Sequence, residues 1–107
     1  MAHRIYLLSQ TWPPEEKYSL TDQIRRASRS IGANLAESWG KRRYPAHFLS
    51  KLTDADAENH EVEHWLSVAH QDGYLKTEDL NDLLELKRKV GRLIGGMIEN
   101  PEPYLLR

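Results

Sequence analysis

From Phe48 to Ala69 one spacing repeats without interruption. Phe48, Leu52, Ala55, Asn59, Val62, Leu66 and Ala69 follow one another at alternating steps of four and three residues. That heptad spacing puts all of these side chains on one narrow stripe of a helix. So long a stripe has to pack along its length against helices lying nearly parallel or antiparallel to it. Asn59 is the polar exception. A polar residue in such a seam sets register or binds a buried neighbour, at some loss of stability.

The other long segments have the helical period too, and none shows sustained strand alternation. Ile5, Leu7 and Leu8 mark a short first helix, which Pro13-Pro14 stops. Leu20, Ile24, Ala27, Ile31 and Leu35 fall on one face of a second helix at 100° per residue. Ser19 is placed to cap that helix, with Asp22 completing a capping box, and Gly40 ends it. Pro45 suits the first turn of the third helix, and Gly73 closes it. Thr77 is placed to cap the fourth, with Glu78 and Asp79 favouring its positive end. Its stripe is Leu80, Leu83, Leu84, Val90, Ile94, Met97 and Ile98; Gly95-Gly96 weakens its end and Asn100-Pro101 stops it.

The expected helices span about 2–10, 19–39, 45–72 and 77–99. With short connections they predict an all-α fold: one domain over 1–107, an antiparallel up-down-up-down four-helix bundle. The first helix is much the shortest. That leaves part of the seam open, to be covered by chain upstream of Met1 or by another subunit. Tyr104, Leu105 and Leu106 are free to dock on the bundle or on a neighbour.

Composition narrows the function classes. There is no cysteine, so disulfides and thiolate metal sites are excluded, in keeping with a cytoplasmic location. No apolar run approaches the roughly 18 residues that span a bilayer, so no membrane partner is expected. Net charge is −1, but residues 20–43 carry +4, residues 44–86 carry −8 and residues 87–107 carry +3. Arg25, Arg26 and Arg29 lie opposite the apolar stripe of the second helix, and Lys41, Arg42 and Arg43 follow its end. Lys87, Arg88, Lys89 and Arg92 form a second cluster. Trp39 and Tyr44 bracket the basic turn, and rings beside cations suit stacking on unpaired bases. The competing uses are internal. The basic helices can neutralise the acidic one, Lys41–Arg43 can offset the helix dipole, and Trp39 can pack at the bundle end.

Residues 60–64 read HEVEH, a formal match to the zinc-protease pattern. The seam runs through 59, 62 and 66, which turns His60 and His64 outward, away from any enclosed cleft. No catalytic residue, metal site or cofactor is assigned. His47 and His70 are read as surface or packing residues. Glu37 and Glu61 are each expected to pair with an arginine of a neighbouring helix.

The run EEKYSLTDQIRRASRSIGANLAES (15–38), followed after Trp39 by GKRR, resembles the bacterial four-helix bundle family named for 23S rRNA intervening sequences. The segment FLSKLTDADAENHEVEHWLSVAHQDGYL (48–75) continues the likeness, which covers nearly all of the chain. Gly32 stands where the family usually has proline, Ser38 replaces a glycine, and the long first helix is cut to a remnant. The resemblance implies a bundle that assembles as a ring, usually a pentamer. A relative, the accessory variability determinant of diversity-generating retroelements, binds nucleic acid and a reverse transcriptase through basic surfaces.

The expected function is a non-enzymatic, oligomeric nucleic-acid-binding protein, with RNA favoured over DNA. Arg25, Arg26, Arg29, Lys41, Arg42 and Arg43 are the expected phosphate contacts. The alternative is a protein-interaction scaffold in which the helix-two arginines pair with Asp54, Asp56 or Glu58 of a neighbouring subunit. A metallohydrolase built on His60, Glu61 and His64 is the remote third.

Overall fold

A computed structural model of the chain describes residues 1–106. Four helices follow one another: α1 (Ala2–Ser9), α2 (Leu20–Gly40), α3 (Pro45–Gln71) and α4 (Thr77–Glu99). Short 3-10 turns occupy Pro14–Glu16 and Glu102–Tyr104, and the described residues contain no strand. The four-helix bundle read from the sequence is the fold observed, with helix ends within a residue or so of the expected ones.

The central hairpin is α2 against α3. α4 lies on the other flank of α3, and α1 lies on α2. All seven seam positions of α3, Phe48 through Ala69, are buried, Asn59 among them. On α2 the stripe is buried from Leu20 to Ile31, whereas Leu35 is only half-buried. On α4 only Leu83 and Ile94 are fully buried. The apolar stripe thus thins towards the C-terminal half of α2, and α4 is buried more sparsely than α3.

The length of α1 explains the thinning. Its eight residues reach about 12 Å at the helical rise, against about 40 Å for α3. α1 covers the first half of α2 and reaches the start of α4, where Arg4 donates to Asp79 at 3.2 Å and Asp82 at 3.1 Å. Beyond it an apolar groove of about 310 Å³ runs between α2 and α4, lined by Leu35, Val90, Leu93, Ile94, Met97 and Tyr104. Leu93 is 71 % exposed there.

The C-terminal segment folds back on its own bundle. The Tyr104 ring stacks on Phe48 at 6.5 Å and meets Trp39 edge-on at 6.4 Å. The Leu106 amide donates to the Arg42 carbonyl at 3.1 Å.

Two expected caps are absent. Ser19 precedes α2, but its hydroxyl donates to Glu16 at 2.8 Å and makes no cap bond. The 3-10 turn just upstream brings that carboxylate within reach of the hydroxyl. Thr77 is the first helical residue of α4, one position too late to cap, and its hydroxyl bonds His70 Nε2 at 3.0 Å. The expected turn at Gly73 is present and left-handed, at φ 84°.

Candidate nucleic-acid interface

The six cations predicted to contact phosphate separate into two groups at opposite ends of α2. By the helical rise, Arg25 and Arg42 stand about 25 Å apart.

The first group is largely occupied within the chain. Arg25 Nε donates to Ser9 Oγ at 2.8 Å, and its guanidinium lies 4.8 Å from the centre of the Tyr6 ring. Arg29 approaches the same ring at 5.5 Å. Tyr6 therefore gathers two cations on α1 through the electron-rich ring face. Arg26 Nη2 donates to Glu61 Oε1 at 2.9 Å, and Nη1 lies 3.8 Å from Glu58 Oε1. The alternative scaffold reading placed a pairing with Glu58 across subunits; it occurs within one chain. Arg29 alone of the three has no hydrogen-bonding or ion-pair partner among the described residues. Tyr6 was missed from the sequence. The signal was there: a ten-residue connection brings the short α1 back over the first half of α2.

Glu58 and Glu61 belong to the same cluster. Burial pushes the Glu58 carboxyl above the usual carboxylate range; the neighbouring charge of Glu61 adds to this and Arg26 opposes it. Glu61 also accepts from Trp65 Nε1 at 3.1 Å. Glu37 meets Lys51 at 2.6 Å rather than an arginine, because the end of α2 lies beside the start of α3. Glu37 and Glu61 are thus engaged with different partners.

The second group sits on the loop between α2 and α3. The Arg42 guanidinium lies over the Trp39 indole, 3.9 Å from its centre, and its Nε donates to the Trp39 carbonyl at 3.0 Å. The spacing of three residues at the end of a helix permits both contacts. Lys41 and Arg43 are exposed, and no carboxylate of the described residues lies within ion-pair distance of either. Tyr44 is exposed beside His47, their rings edge to face at 6.0 Å. Trp39 itself is 48 % exposed, with one face given to Arg42 and Tyr104 at its edge. A planar cation backed by an aromatic ring, flanked by two unpaired cations, can take phosphate and can stack a base on the outer face of the guanidinium.

The HEVEH histidines lie on the surface of α3. His60 Nδ1 donates to the Asp56 carbonyl at 2.8 Å, and the His64 ring meets Trp65 at 4.7 Å. Among the described residues no group of three His, Cys, Asp or Glu side chains converges as metal ligands do. No helix is long and apolar enough to cross a membrane.

Comparison with known proteins agrees with this fold. The sequence profile of the family described as 23S rRNA-intervening sequence protein matches residues 1–96. The chain belongs to that family. Its structure is similar to that of a crystallised protein of unknown function from the S23 ribosomal protein family of Bacteroides thetaiotaomicron. The two are 27 % identical, with a TM-score of 0.81 over 92 % of each chain. Among curated proteins none matches.

Proposed function

We propose that this member of the 23S rRNA-intervening sequence protein family is a non-catalytic, oligomeric RNA-binding protein of the cytoplasm. RNA is held at the α2–α3 loop through Lys41, Arg42 and Arg43, with Arg29 as an outlying contact. Arg25 and Arg26 contribute less, being engaged by α1 and by Glu58 and Glu61. The supporting observation is the Trp39–Arg42 stack standing between two exposed cations that have no acidic partner among the described residues. The net charge of −1 argues for a local contact, mainly to backbone phosphate and with little sequence readout.

Three phosphate contacts per chain imply a slope of about −2 to −3 in log K against log salt. A hairpin RNA titrated at 50 and 200 mM salt should lose roughly 20- to 40-fold in affinity on that slope. The triple variant K41E/R42E/R43E should bind far more weakly. Affinity that ignores salt, or that survives the triple variant, would sink this reading.

A second reading, a protein-interaction scaffold that binds no nucleic acid, draws support from the internal use of Arg25 and Arg26 and from the uncovered groove beside Leu93. It predicts an assembled protein without measurable affinity for RNA.

A further inference from the structure

The hollow between α3 and α4 has a polar feature that the bundle does not use. Asn59 lines it from the buried seam of α3, 1 % exposed. Its Nδ2 donates to the Lys87 carbonyl of α4 at 3.1 Å. A carbonyl only accepts, so that bond fixes which end of the amide faces α4. Asn59 Oδ1 is then left buried with no donor among the described residues. Native interiors seldom leave such an acceptor without a partner.

The surroundings point to the kind of partner. Gly91 stands opposite the amide, and a Cβ there would lie 3.2 Å from Asn59 Nδ2. Glycine at this position keeps the floor of the hollow uncrowded. The rim is cationic. Arg92 has no acidic partner among the described residues. Arg88 and Lys87 reach Glu85 and Glu63 only at 3.7 Å, longer than a charge-assisted hydrogen bond. Asp56, the one lining carboxylate, lies 3.8 Å from His60. The volume is about 340 Å³, near the lower end for small-ligand pockets.

We infer that this hollow binds a nucleotide: Asn59 Oδ1 accepts a hydrogen from an N–H of the base, and Arg92 with Arg88 holds the phosphate. An anion alone leaves the buried acceptor unsatisfied, and a neutral donor alone leaves the cations unused. A nucleotide supplies both, since every standard base presents an N–H on its pairing edge. Asn59 is almost covered, so entry of the base requires side chains lining the hollow to move aside. The nucleotide comes either free or as an unpaired residue of an RNA chain. The site lies on α3 and α4, apart from the 41–43 loop, so it stands or falls independently of the proposed RNA contact there.

Calorimetric titration with AMP, adenosine and inorganic phosphate tests the inference. AMP should bind at least about tenfold tighter than either fragment, since it alone makes both contacts. Gly91→Ala and the exposed Arg92→Glu should each weaken AMP by about tenfold or more while the circular dichroism stays helical. K41E/R42E/R43E should leave AMP binding unchanged. A single-stranded oligonucleotide that displaces AMP from that triple variant identifies RNA as the source; failure to displace it identifies the free nucleotide. Absence of AMP binding at millimolar concentration, equal affinity for AMP and phosphate, or full affinity in both G91A and R92E would overturn the site.

Discussion

Glu58 is the residue whose chemistry fits its position least well. Among the described residues its Oε2 is buried without a donor, Glu61 lies beside it, and only Arg26, at 3.8 Å, offsets the charge. Burial, then Glu61, raise its folded pKa above the unfolded value. The stability it contributes is therefore complete below the ordinary carboxylate range and is lost as pH rises through the raised value. Glu58→Gln should flatten that dependence. In urea denaturation the variant should gain on the wild type as pH rises above the ordinary carboxylate range, because Arg26 keeps its shorter bond to Glu61. A variant that is markedly weaker at neutral pH would show that the Arg26–Glu58 attraction outweighs burial. The outward charge of Arg25, Arg26 and Arg29 was legible from helical phase. Glu61 was expected to take an arginine of a neighbouring helix and takes Arg26, whereas the use of Tyr6 by Arg25 and Arg29 was not legible, because that ring comes from another element.

At the scale of elements, the chain states its helices clearly and its caps poorly. The α3 seam was readable residue by residue, since the heptad spacing is a property of the helix itself. The caps at Ser19 and Thr77 were not, because a hydroxyl takes whichever partner the surrounding chain offers. At α2 that partner is Glu16, and at the start of α4 it is His70. Ser19→Ala should therefore cost about 0.5 kcal/mol or less, against about 1 kcal/mol for a true N-cap. Gly73→Ala should cost about 1–2 kcal/mol, because φ 84° strains any residue with a Cβ. Urea midpoints of the two variants, measured together, check both values. A larger loss for S19A than for G73A would contradict the assignment of both turns.

At the scale of the molecule, one short helix shapes the rest. The Cα extents are 49 × 24 × 17 Å and the radius of gyration is 15.2 Å, against about 13 Å for a compact chain of this length. The bundle is a rod whose apolar groove beside Leu93 lies open at one end. The proposed assembly uses this groove, since a half-buried apolar stripe between two helices is a common docking surface. The solution mass should exceed the 12.5 kDa of one chain, and Leu93→Glu should lower it while the helix content holds. A wild-type protein that sediments as a monomer at about 100 µM, where micromolar association would be complete, defeats the oligomeric reading.

Spacing and composition by themselves determined the four helices, the buried stripe from Phe48 to Ala69 and the basic turn at Lys41–Arg43. These depend on residues near one another in sequence, and helical phase carries that information directly. The tertiary structure alone decided which cations remain unpaired. It placed α1 so that Ser9 and Tyr6 take Arg25, set Arg26 between Glu58 and Glu61, and left Lys41 and Arg43 without acidic partners among the described residues. It also set Asn59 against Lys87 and Gly91, turning a polar interruption of the seam into a bond between helices and an unsatisfied oxygen. Pairing of charges and satisfaction of buried polar atoms depend on which helices become neighbours, and a linear pattern does not encode that.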